Sequence, residues 1–235
     1  MLAALGWGAL AAASLVLGAF LGARGRWPNR LVGLVLAFGA GALISGVSFE
    51  LADEGVRVGG PVAVAIGLAV GAVAYYAGDR MVERMGGRNG GSAAGAPLAL
   101  GALLDGIPEQ AVLGIGIATG AGVSVSLLVA IFVSNLPEAI GSATEMRGGG
   151  KRPERILRLW LLVAIACTAA TVAGWALADV VGGRLKAGID GFAAGALLVL
   201  LVDSMIPEAR GKGGRTAGLV TTLGFTVAAG LSRLS

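Results

Sequence analysis

Residues 97–118 read PLALGALLDGIPEQAVLGIGIA, and residues 122–144 read GVSVSLLVAIFVSNLPEAIGSAT. A helix rises about 1.5 Å per residue and a bilayer's hydrocarbon core is about 30 Å thick, so each stretch is long enough to cross it. Each also carries acids well inside its apolar run: Asp105 and Glu109 in the first, Glu138 in the second. A carboxylate within a bilayer costs several kcal/mol unless it is paired or hydrated, so these acids read as a functional site. The two stretches predict an all-α membrane protein organised around a polar centre.

The composition agrees. Of 235 residues, 56% are hydrophobic and only 14% are charged, with a mean hydropathy of +0.84. A soluble domain carries about a quarter charged residues, because it must cover itself with polar surface. The 42 glycines sit among Leu, Val and Ala, and prolines number only 7. That mixture belongs to membrane helices packed through small residues, and argues against a soluble enzyme, a nucleic-acid binder or a disordered chain. The chain has no histidine, which excludes histidine-based zinc enzymes and the Ser-His-Asp triad. Its single cysteine, Cys167, lies in an apolar run and reads as a packing residue.

Eight transmembrane helices are expected, at Leu2–Ala23, Leu31–Ala52, Pro61–Gly78, Pro97–Ala118, Gly122–Thr144, Ile156–Ala178, Ile189–Ile206 and Thr216–Leu234. The first lacks a basic leader and an evident cleavage site, so it reads as a span and not as a signal peptide. The spans leave no room for a separate soluble domain, and residues 1–235 form a single transmembrane domain. The stretch Arg84–Ala96 (RMGGRNGGSAAGA) reads as a flexible linker. The loops after the odd-numbered spans hold Arg24, Arg26 and Arg30; Arg80, Arg84 and Arg88; Arg147, Lys151, Arg152, Arg155 and Arg158; and Arg210, Lys212 and Arg215. The other side holds only Arg57, Arg184, Lys186 and Arg233. Basic loops stay in the cytoplasm, so both termini are expected outside. The net charge of +4 is a topology signal and implies no nucleic acid.

An internal echo relates two of the spans. Ala40–Gly55 reads AGALISGVSFELADEG and Ala194–Ala209 reads AGALLVLLVDSMIPEA, each with an acid, Glu54 or Glu208, at the same offset. The second and seventh spans run in opposite directions, which predicts an inverted repeat of helices 1–3 and 6–8 around helices 4–5. Such repeats are common in secondary transporters.

Asp105 and Glu109 are four residues apart and project from one helix face, as do Ser134 and Glu138, with Asn135 one position round. Like charges one turn apart repel strongly at low dielectric, so the acids share protons or a cation sits between the helices. A divalent metal satisfies two or three carboxylates at once. Both glutamates follow proline, in Ile107-Pro108-Glu109 and Leu136-Pro137-Glu138, and a third pair stands at Ile206-Pro207-Glu208. Proline removes a helical hydrogen bond and displaces the carbonyl four residues back, here Leu104 and Val133, so broken or kinked helices are expected at the site. Asp53, Glu54, Glu145 and Asp190, near span ends, read as acids reaching for the interface.

These motifs resemble the ZIP family of divalent-metal transporters, over the whole chain in topology and specifically at Asp105-Gly106-Ile107-Pro108-Glu109-Gln110, Ser134-Asn135-Leu136-Pro137-Glu138-Ala139 and Asp203-Ser204-Met205-Ile206-Pro207-Glu208-Ala209. The resemblance implies a midplane metal site between helices 4 and 5, filled from outside and emptied to the cytoplasm. Its ligands would be Asp105, Glu109, Ser134, Asn135 and Glu138, with Gln110 beside them. Glu50, Asp53 and Glu54 would draw ions in, and Asp203 and Glu208 would form an exit relay. Against the family pattern, Asp105 stands at a histidine position, Gly106 at an asparagine, Gln110 at a glycine and Ser134 at a frequent ligand position. The histidine-rich cytoplasmic loop of many members is missing, and the sixth span has no acid.

Oxygen ligands are harder than imidazole and shift preference toward manganese, iron or magnesium, although zinc also accepts carboxylates. Zinc or a related transition metal is expected on the family's pattern, with manganese and iron next. No Walker motif appears, so ATP-driven transport is not expected, nor is a prosthetic group. The expected partners are the metal ion and the lipid bilayer of a bacterial plasma membrane, with a homodimer admissible. The alternatives are a non-transporting sensor that kept the fold, and an aspartyl protease acting through Asp105 and Asp203.

Overall fold

A computed structural model describes the backbone of residues 1–25, 27–88, 95–118, 125–178 and 182–233; within these, the side chains of 82, 83, 85–88, 95–101, 105 and 126 are not described. No strand occurs among the described residues. The helices are α1 (Leu2–Arg24), α2 (Asn29–Ser45), α3 (Glu54–Gly59), α4 (Pro61–Arg88), α5 (Gly95–Ala118), α6 (Val125–Gly148), α7 (Pro153–Leu177), α8 (Gly183–Leu200), α9 (Ile206–Gly213) and α10 (Ala217–Ser232). A π-helical segment, π1 (Gly46–Asp53), joins α2 to α3, and a second, π2 (Leu201–Met205), joins α8 to α9. Six helical runs among the described residues are long and apolar enough to cross a membrane. The last of them, Gly183–Ser232, is turned at Gly214, where φ is 70°.

Several elements outrun the expected spans. Helix α4 continues to Arg88, so the stretch read as a linker from Arg84 begins as helix; residues 89–94 lie outside those described. The run Asn29–Gly59 extends a turn or more past Ala52. Pro108 and Pro137 do not break their helices: both lie inside continuous α-helix. One missing N–H removes a single bond from a helix that its neighbours hold along its length. The departures from α geometry come instead at π1 and π2. In π2 the cause is legible, because Pro207 deprives the Asp203 carbonyl, four residues back, of its α-helical partner.

The packing inverts that of a soluble protein. Ala and Gly fill much of the interior, while large apolar side chains face outward. On α4, Val62, Ile66, Val70 and Val73 form an outward stripe, and Leu219, Leu223 and Val227 form another on α10. An apolar surface of that extent suits lipid and not water. Arg24, at the end of α1, lies over the ring of Phe20, 4.2 Å from its centroid, and Arg80, two turns before the end of α4, lies 4.9 Å from that of Tyr76.

Two groups of helices pack among themselves. Helices α1, α5, α6 and α7 form one bundle, its core made by Leu15, Ala139, Met146, Trp160 and Val163. The other group consists of two pairs, α2 with α10 and α4 with α8, joined to each other through the π segments and short helices, and its α2 also packs along α6 of the first. Helix α10 packs on α2 as α4 packs on α8, and α6 packs on α1 as α5 packs on α7. Glycine contacts repeat the correspondence in detail. A Cβ on Gly224 would lie 2.0 Å from the carbonyl oxygen of Phe38, and one on Gly71 would lie 1.9 Å from that of Phe192. Phe38 and Phe192 stand at one offset of the echo, in FGAGAL and FAAGAL, and π1 and π2 follow at overlapping offsets.

Candidate functional site

A seam of Val47, Leu51, Tyr75, Val112, Leu113, Leu127, Ile131, Leu197 and Leu200 joins the two bundles. Helical periodicity fixes which polar residues share it. Glu109 precedes Val112 and Leu113 by three and four residues, so it lies on the seam face of α5. Ser134, Asn135 and Glu138 follow Ile131 by three, four and seven residues and continue the seam face of α6. Glu109 is only 2% exposed, and Ser134 and Asn135 are 3% exposed; Glu138 is half-buried. The backbone of α5 puts Asp105 one turn from Glu109, and its side chain lies outside the described residues. Among the described residues, no three His, Cys, Asp or Glu side chains gather as a metal centre.

The neutral residues have defined roles. Ser134 Oγ donates to the Ile131 carbonyl at 3.1 Å. Asn135 Nδ2 is buried without a hydrogen-bond partner. Gln110 is turned away from the seam: its Oε1 accepts from the Thr171 hydroxyl on α7 at 2.5 Å, and its Nε2 has no partner. It belongs to a second face of α5, where Gly106 meets the sulfur of Cys167 and Gly114 meets the Thr171 carbonyl.

The outlying acids separate into distinct settings. Glu50, in π1, accepts from the Ser232 hydroxyl at 2.6 Å, which ties the segment to the end of α10. Asp53 is exposed, and Glu54 pairs with Arg57. Asp203 lies in an open groove between α4 and α8 with Leu68, Ala72 and Tyr76, away from the seam. Glu208 pairs with Lys212 on α9 at 2.5 Å. Asp190 corrects the reading of acids at span ends: it is 2% exposed and bonded to Lys186 at 3.0 Å. Helix α8 begins at Gly183, earlier than the apolar run suggested, so Lys186 stands one turn before Asp190 on the same face.

Sequence reasoning overlooked Thr171, Lys212 and Ser232. The Lys212 pairing was available as an i, i+4 spacing on a helix; the other two contacts join elements distant in sequence and left no local signal. Neither a scan of protein-family models nor a search of curated proteins finds a match for this chain.

Proposed function

We propose that this chain is a divalent-metal transporter of ZIP-like architecture, carrying zinc, iron or manganese toward the cytoplasm of a bacterial cell. On this reading the chain crosses the membrane eight times with both termini outside. Helices 1–3 and 6–8 form the inverted repeat, a reading supported by the paired contacts of Phe38 with Gly224 and Phe192 with Gly71.

One observation carries the proposal: the carboxylate of Glu109, only 2% exposed, lies on the seam between two apolar bundles. A carboxylate buried at such a junction is placed to bind a passing cation. Asp105, Glu109 and Glu138 supply charge, while Asn135 and Ser134 supply neutral oxygen. A seam between bundles is also where relative movement opens a path to one side and then the other.

The test is uptake of Zn²⁺, Mn²⁺, Fe²⁺ and Mg²⁺ into proteoliposomes by wild type, Glu109→Gln and Glu138→Gln. Each substitution keeps volume and removes one charge, and each is expected to abolish uptake of the preferred ion. If both variants transported like wild type, the site assignment would be wrong. A wild-type protein that binds these ions and moves none would be a sensor with a transporter's fold.

A further inference from the structure

The stripe of α6 that carries Ser134 and Glu138 continues to Gly141, and what faces Gly141 comes from the other bundle. A Cβ built there would lie 3.6 Å from Lys212 Nζ and 3.8 Å from Glu208 Oε1. The ion pair of α9, partly open to solvent, therefore lies within ordinary contact of the Gly141 position, about one helical turn, roughly 5 Å, from the level of Glu138. Its base is fixed. A Cβ on Gly33 of α2 would lie 2.6 Å from Lys212 Cβ and 2.3 Å from the Gly213 nitrogen. The backbone of α9 is thus clamped on α2, while four rotatable bonds leave the ammonium free to swing. Arg210 and Arg215, the neighbouring cations, are exposed.

We infer that Lys212 is a tethered cation that occupies the cytoplasmic end of the route, holding Glu208 until a metal ion displaces it. The inference rests on the transporter reading above and adds a gate to it. An ammonium anchored one turn from a carboxylate competes for it at an effective concentration in the millimolar range. An ion arriving along the seam from Glu138 meets the pair at a high local concentration. An ion entering from the cytoplasm must displace Lys212 from dilute solution. Once an ion has left, Lys212 pairs with Glu208 again and competes with its return. Gly141 leaves the space that this exchange needs.

The alternative is an i, i+4 pair that only stabilises α9, in the favourable order of Glu before Lys. Such a pair would alter melting temperature and leave both faces of the transporter unchanged. The deciding experiment measures Mn²⁺ half-saturation in right-side-out and inside-out membrane vesicles. Lys212→Met keeps the stem and removes the charge; it is expected to lower half-saturation from the cytoplasmic face by roughly fivefold and leave the outer face unchanged. Lys212→Arg should behave as wild type, and Lys212→Gln replaces the Met variant if that protein is not monodisperse.

A second readout needs no transport. In a Cys167→Ala background, Gly218→Cys, on the open side of α10, serves as a maleimide-labelling control that should not change when Lys212→Met is added, while Mn²⁺ binding measured by calorimetry in detergent should tighten severalfold in Lys212→Met. Equal half-saturation from both faces in wild type and Lys212→Met, with equal Mn²⁺ affinity by calorimetry, would overturn the gate while leaving the transporter reading intact. A wild type that moves no divalent ion would overturn both.

Discussion

The hydroxyl of Thr171 on α7 donates to Oε1 of Gln110 on α5 at 2.5 Å, and neither residue is exposed. The bond joins two helices of one bundle across a contact that Gly114 and Gly174 bring to backbone distance. Thr171→Val keeps the shape and strands the Gln110 oxygen, whose Nε2 already lacks a partner. Leaving a buried polar group unpaired costs about 1–3 kcal/mol. Thr171→Val is expected to lower the thermal midpoint in detergent, and adding Gln110→Leu to recover much of the loss. A double variant that falls by the sum of the two single losses would show that the residues act independently.

The contacts of Gly71 with Phe192 and Gly224 with Phe38 make a symmetric prediction. Each glycine faces a backbone carbonyl, which cannot rotate away, so even one methyl forces the helices apart. Gly71→Ala and Gly224→Ala should each destabilise by roughly 1–3 kcal/mol. Gly218→Ala, on the open side of α10, meets nothing within 4 Å and should be neutral or slightly stabilising. Thermal unfolding of the three variants checks this, and a stable Gly71→Ala would mean that α4 and α8 are not in close backbone contact.

Most of the helical rods were legible because apolar runs of membrane length have few other readings. Their ends were not, since Arg88 and Lys186 lie on helix while lacking apolar character. The echo was read from AGAL onward; its earlier member, Phe38 with Phe192, emerged only when the paired glycines were seen against those carbonyls. Of the two π segments only π2 leaves a trace in the sequence, Pro207, because a change from α to π bonding otherwise alters ladder partners and not residue preference. The acids of α5 and α6 stood out by cost alone. That Glu109 and Glu138 share a seam needed the packing of Val112, Leu113 and Ile131 to orient them.

Glu50 accepts from Ser232 at 2.6 Å, in a π segment that departs from the helical ladder. With Asp53 and Glu54 it forms an acidic end that raises the local concentration of cations. Glu50→Gln should raise the half-saturation concentration for uptake severalfold and leave the maximal rate near that of wild type. A full concentration series in proteoliposomes reads both quantities, and an unchanged half-saturation removes Glu50 from the route.

The seam is expected to hold one metal ion per protomer. Two divalent ions side by side repel strongly at low dielectric, and each needs its own ligands besides any bridging carboxylate. Glu109 and Glu138 are suited to bridging, but little remains for a second ion. Gly106 has no side chain and faces the Cys167 sulfur, Asn135 is neutral, and Gln110 Oε1 is held by Thr171. The apolar length of α7 carries no acid. Asp105, Glu109 and Glu138 together supply about three negative charges, enough for one divalent ion and too few for two. Because metal and protons compete for the same carboxylates, uptake should also fall as the outside is acidified. Calorimetry on the detergent-solubilised protein, or anomalous scattering from a metal-soaked crystal, counts the ions directly, and two fully occupied sites between α5 and α6 would refute the count.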